Sequence, residues 1–173
     1  MKRILPDTNF YEFLLKYLEI EKIRRIKESR IVVFYGIDLI RKELRATPKS
    51  KVGIVRNKFL KLRNSLLLIY DLLAGEHHYR IDSKINRIAD DYYIAYKTLK
   101  GKAKKEEIFN DFVIVACASM NNIDILVSDD NKTMLSLESK NAYKSVNSIN
   151  KLKTPNFIGF EEFKKFLRGV NFD

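Results

Sequence analysis

Cysteine is almost missing: one residue, Cys117, in a chain of 173. A lone thiol excludes a disulfide scaffold and matches a reducing compartment. Because Cys117 lies inside the apolar run 112–118, it reads as a small buried side chain rather than a nucleophile. Three prolines and six glycines leave little material for long loops or a flexible linker, so one domain spanning 1–173 is expected. Long hydrophobic runs are also lacking. The run 112–118 is far short of the roughly 20 residues needed to cross a bilayer. The start, Met1-Lys2-Arg3-Ile4-Leu5-Pro6-Asp7, meets an acid before the apolar core of a secretion signal can form. A cytoplasmic protein is the expectation. A Gly-rich turn of the phosphate-cradling or dinucleotide-binding kind is absent as well, which excludes those nucleotide sites.

What is present is a globular composition, 46% hydrophobic and 32% charged, with a basic excess. Residues 1–60 carry 15 basic and 7 acidic side chains, 61–110 carry 10 and 7, and 111–173 carry 8 and 8, which together give +11. A basic first half suits a polyanionic partner; a solvated lysine-rich surface accounts for the same numbers equally well.

Hydrophobic periodicity divides the chain into alternating segments. Residues 2–5 read as a short strand stopped by Pro6. Residues 10–18 read as a helix whose apolar arc is too wide for one core, so burial of the remainder in a homodimer is expected. A polar helix over 19–29, a strand over 30–34 and a short helix over 36–45 follow. Residues 51–74 read as one long amphipathic helix with Val52, Val55, Phe59, Leu62, Leu66, Ile69 and Leu73 on a stripe, ended by Gly75. His77 and His78 read as loop residues. Residues 82–100 form another helix, and Asp82, Asp90, Asp91, Glu106 and Glu107 read as solvated. Residues 109–120 form a buried helix, 123–128 a strand, 131–139 a helix and 145–149 a last strand; the tail 157–167 is helical. The alternation predicts a parallel sheet covered on both faces.

In such sheets ligands bind beyond the carboxyl ends of strands, and acids sit there. Asp7 follows the first strand. Asp129 and Asp130 follow Ile125-Leu126-Val127-Ser128. Glu43 falls in the middle of the apolar arc of its helix, where a carboxylate costs several kcal/mol unless paired. Asp111 is read as opening the buried helix, where the dipole favours negative charge. Taken singly, each is also an ordinary cap or a paired core acid.

The ordered set resembles the PIN-domain family. The residues carrying the likeness are Asp7-Thr8-Asn9, Glu43-Leu44-Arg45 followed by Thr47-Pro48, Asn110-Asp111-Phe112-Val113-Ile114-Val115-Ala116-Cys117-Ala118, and Val127-Ser128-Asp129-Asp130 followed by Lys132-Thr133-Met134. The resemblance implies an α/β fold, a three-layer α/β/α PIN-like domain with a central parallel sheet of about five strands. It also implies a metal-dependent ribonuclease in which Asp7, Glu43, Asp111 and Asp129 or Asp130 hold Mg²⁺ or Mn²⁺. Thr8, Asn9 and Ser128 are then candidates for supporting the ligands or contacting phosphate. Many such proteins are toxins of toxin–antitoxin pairs, so RNA and a cognate antitoxin are the implied partners. Hard cations take oxygen ligands, which suits this residue set. A dehalogenase-like phosphatase is disfavoured because Asn9 stands where a second aspartate is needed. An inactive PIN-like module that binds RNA or protein is the remaining alternative.

Overall fold

A computed structural model describes residues 1–17, 20–29, 31–55 and 58–168 of the chain. The chain opens with β1 (Lys2–Pro6), followed by α1 (Thr8–Tyr17), α2 (Ile20–Glu28), β2 (Val32–Phe34), β3 (Gly36–Ile37) and α3 (Asp38–Ala46). Next come β4 (Val52–Val55), β5 (Lys58–Lys61), α4 (Leu62–Ala74), β6 (His78–Tyr79), α5 (Ser83–Thr98) and α6 (Lys105–Met120). The chain continues through β7 (Ile125–Val127), α7 (Leu137–Ile149), β8 (Asn156–Ile158) and α8 (Phe160–Arg168).

Four strands form a parallel sheet in the order β2-β1-β7-β8. Its centre is β1 beside β7, with Ile4 opposite Ile125 and Pro6 opposite Val127. Ile4, Leu5, Leu126 and Val127 are fully buried, as befits strands covered on both faces. The helices pack in two groups, α1 to α4 and α5 to α7, flanking the sheet. The sheet thus has four strands rather than about five, and β3 and β6 make a separate two-residue parallel pair. Among the described residues, no helix is long and apolar enough to cross a membrane.

Three sequence readings are corrected. Residues 51–74 are not one helix: β4 and β5 form an antiparallel hairpin, and α4 begins only at Leu62. Val52-Gly53-Ile54-Val55 is rich in β-branched residues with a glycine that weakens a helix by about 1 kcal/mol. Residues 131–139 are turns up to Ser136, which caps α7 by accepting from Ser139 N. Residues 145–149 are the last turns of that helix; the final strand is β8 instead. Smaller shifts concern Gly36 and Ile37, which pair with β6 before α3 starts, and His78, which lies in β6 rather than in a loop. Leu18, Glu19, Arg30, Arg56 and Asn57, which the readings also covered, lie outside the described residues.

Most of the wide apolar arc of α1 (Phe10, Tyr11, Phe13, Leu14 and Leu15) is buried within the subunit, while Tyr17 is exposed. Phe10 touches Phe13, Phe34, Phe160 and Phe163, while Tyr11 packs on Tyr70 from the opposite side. α8 and α4 thus cover most of what a second subunit was expected to cover.

Candidate metal centre

Four acidic side chains gather beyond the carboxyl ends of β1 and β7. Asp7 leaves β1 and stands just before α1, where its Oδ1 accepts the Phe10 N–H at 3.1 Å, an N-cap bond. Its other oxygen, Oδ2, accepts the Ser128 hydroxyl at 2.5 Å. Asp7 is only 4% exposed, and its burial, strengthened by the nearby Asp130 and Asp129 charges, pushes its carboxyl up to about 6.

Glu43 projects from α3. Its Oε2 accepts the Thr8 hydroxyl and its Oε1 accepts Asn110 Nδ2 at 2.8 Å. One glutamate thus ties the start of α1 to α6. Asp111 lies well inside α6, because that helix begins at Lys105, where Glu107 accepts the Lys104 N–H at 2.8 Å. The reading that Asp111 opens the helix is corrected, and so is the simple capping role it suggested. Burial raises Asp111 to about 7, with Asp130, Asp7 and Glu43 adding to the rise.

Asp129 and Asp130 diverge. Asp129 Oδ1 accepts the Phe160 N–H at 2.9 Å and so caps α8. Asp130 turns toward the cluster: its Oδ1 accepts the Lys132 and Thr133 N–H groups, both at 3.0 Å. Thr133 Oγ1 stands 2.5 Å from Asp111 Oδ2 and 2.6 Å from Asp130 Oδ2. A hydroxyl has one proton, so Thr133 donates to only one of the two carboxylates at a time.

Of the supporting residues expected from sequence, Thr8 holds Glu43. Ser128 is fully buried and holds Asp7, with its oxygen accepting Asp130 N–H at 3.1 Å. Asn9 is exposed and lines a depression of about 360 Å³ with Asp129, Phe160 and Glu161, beside the cluster. Asn110 and Thr133 were not singled out as site residues. Asn110 precedes Asp111, and Thr133 lies three residues after Asp130, the spacing at which an aspartate and a threonine bond locally.

Among the described residues, none of Asp7, Glu43, Asp111 and Asp130 pairs with a lysine or arginine. The donor set, all oxygen, fits a hard divalent cation in kind. In position it is spread out: among the described residues, no three His, Cys, Asp or Glu side chains are grouped so as to hold an ion. Hydroxyls of Thr8, Ser128 and Thr133 occupy the oxygens that a cation would draw together.

No protein-family profile matches the chain. A stretch of 63 residues is 30% identical to Hapless 2 of Plasmodium berghei, covering 34% of this chain and 8% of that protein. The chain spans under a tenth of that relative, so the likeness carries no functional argument. Solved structures align over nearly all of it. VapBC2 of Rickettsia felis bound to a promoter DNA fragment matches with TM-score 0.57 and 11% identity, over 91% of this chain and 98% of that one. DNA-bound VapBC of Salmonella typhimurium gives 0.55 and 12%, over 92% and 98%. The fold is PIN-like. FitAcB of Neisseria gonorrhoeae, at TM-score 0.52 and 19% identity over 79% and 93%, shares it. At these identities it is the PIN-like fold alone that is common to them.

Proposed function

We propose that the chain is a divalent-metal-dependent endoribonuclease, acting in the cytoplasm as the toxin of a toxin–antitoxin pair. Asp7, Glu43, Asp111 and Asp130 would hold Mg²⁺ or Mn²⁺, with Asp129 left to cap α8. The observation that carries the reading is that four carboxylates from four chain segments lie at one end of the sheet, and none pairs with a lysine or arginine among the described residues. Such a cluster costs stability through mutual repulsion, which a bound cation relieves. A bound divalent ion supplies an activated water and offsets charge on the attacked phosphoryl group. The protein's part is to orient: Ser128 fixes Asp7, Thr8 and Asn110 fix Glu43, and Thr133 spans Asp111 and Asp130. An antitoxin partner is supported by the origin of the similar chains, which come from VapBC and FitAB assemblies.

A second reading, a PIN-like module that binds RNA or protein without cleaving, is favoured by the spread of the carboxylates, each engaged by a hydroxyl. Incubation of the purified protein with an unstructured RNA decides between them. The nuclease reading expects cutting with Mn²⁺ or Mg²⁺, none in EDTA and none by Asp7→Asn. Equal cutting in EDTA points to a contaminant, and no cutting with either metal supports the binding module.

A further inference from the structure

The basic excess is concentrated in one place. Residues 42–63 contain eight lysines and arginines and a single acid, Glu43, so they contribute +7 of the net +11, while the other 151 residues contribute only +4. This stretch is the C-terminal part of α3, the connection through Pro48, the β4–β5 hairpin and the start of α4. Lys42, Arg45, Lys49, Lys51 and Lys61 are exposed and Arg63 is half-buried. Among the described residues none of these six forms an ion pair. The hairpin joins neither parallel sheet. It is anchored on its inner side where Leu62, which is buried, donates its N–H to Lys51 O at 3.1 Å and fills the space over Gly53.

The acid within this stretch is the one that reaches the carboxylate cluster. Glu43 and Thr47, where α3 ends, are one helical turn apart, roughly 6 Å along the axis. The start of the arm therefore lies within about one Debye length (~8 Å at physiological salt) of the backbone position from which Glu43 reaches the cluster. A polyanion is repelled by four carboxylates, and binding at that end of the sheet requires positive charge close by on the same chain.

We propose that the α3 end and the β4–β5 hairpin form a single-stranded RNA-binding arm that carries the backbone across the acidic cluster. The inference rests on the nuclease reading for the identity of the substrate, but the arm's binding is measurable without catalysis. The salt dependence of binding counts the phosphates that the arm neutralises, with a slope of about 0.7 per contact for a single strand.

The experiment is fluorescence anisotropy of a labelled, unstructured 20-nucleotide RNA in EDTA, from low to moderate salt. Wild type is compared with the triple variant Lys49→Gln, Lys51→Gln, Lys61→Gln and with the control triple Lys84→Gln, Arg87→Gln, Lys144→Gln on α5 and α7. Thermal melts confirm that each variant is folded; should the arm triple melt early, Lys49→Gln with Lys51→Gln alone replaces it. The arm variant is expected to bind at least tenfold more weakly, with its log–log salt slope reduced by about 2, while the control binds as wild type. Arm and control losing affinity equally would show general charge attraction and overturn the proposal, as would an arm variant that binds like wild type. Binding through the arm without Mn²⁺-dependent cleavage would leave the arm standing and remove the nuclease reading. Cleavage that the arm triple leaves unaltered would do the opposite.

Discussion

Two clusters of polar side chains lie inside this molecule, and they are built on opposite terms. Between α5, α6 and α7, Tyr92 donates to Asn147 Oδ1 at 2.5 Å, and Asn147 Nδ2 donates to Ser119 at 3.1 Å and Thr154 at 2.9 Å. Every member is neutral, and Ser119 and Asn147 are each 1% exposed. At the sheet's carboxyl end the groups are acidic, none pairs with a lysine or arginine among the described residues, and burial pushes Asp7 and Asp111 toward protonation. Neutral, saturated polar groups fix the packing of helices. Charged groups held together without a counter-ion weaken the fold in the free state, which is what the proposed metal site would require of them.

The comparison is broken most sharply by Asp111→Asn. If the acidic cluster is a metal site, cleavage falls by roughly 10²-fold or more, on the scale of losing one positioned electrostatic group. Metal-free stability stays level or rises, because one like charge is gone. Activity assays beside thermal melts with EDTA and with Mn²⁺ read both quantities. A wild type with no Mn²⁺-dependent rise in melting temperature at millimolar metal would remove the metal reading.

Asn147→Leu should do the reverse. It leaves Tyr92, Ser119 and Thr154 without their shared partner in the interior, a loss of about 2–4 kcal/mol by urea unfolding. Specific activity per folded molecule should be unaltered. A neutral outcome in the melt would show that water substitutes for the amide and that the two clusters differ less than their geometry states.

The smallest effect is in pH. Asp7 and Asp111 are raised to about 6 and about 7 in the folded chain, above the ordinary carboxylate value near 4 that the unfolded chain keeps. Below about pH 4 both states hold the protons and no penalty exists. From about 4 to about 7 the unfolded chain has released protons that the folded chain retains, so metal-free stability falls as pH rises. The slope contributed by Asp7, which is buried, is at most ~1.4 kcal/mol per pH unit. Saturating Mn²⁺ should flatten it. Denaturant melts at pH 4.5, 6 and 7.5 in EDTA and in Mn²⁺ test this, and an EDTA profile that rises with pH contradicts it.

Much of the fold was legible from the chain because most elements carry one clear period. β1, β7, α5 and the body of α6 stand where their patterns put them. The 51–74 stretch misled because Val52, Val55, Phe59 and Leu62 satisfy helical spacing while two four-residue strands satisfy it too; short apolar runs do not distinguish the two. The polar start of α6, Lys105-Glu106-Glu107, concealed about one helical turn because its apolar stripe begins only at Ile108. For the site, the strand ends exposed Asp7 and the Asp129–Asp130 pair, and the misplaced polarity of Glu43 on its helix exposed the third acid. Which of the paired aspartates turns inward depends on Phe160, 31 residues from Asp129, and no local spacing encodes that. Thr133 and Asn110 were hidden for a related reason: their roles exist only once α3, α6 and the 128–136 loop meet.

Gly159 joins the two ends of that loop's work. A methyl group added there would fall 2.6 Å from Asp129 Oδ1, inside the distance any carbon tolerates. Even alanine would thus have to push Asp129 off the start of α8, and the push reaches Asp130 through the peptide they share. The terminal helix and the inward aspartate are in effect two arms of one lever with Asp129 as its fulcrum. A substitution chosen to loosen the tail would be felt at the opposite end of the chain, where Asp7 waits beside β7.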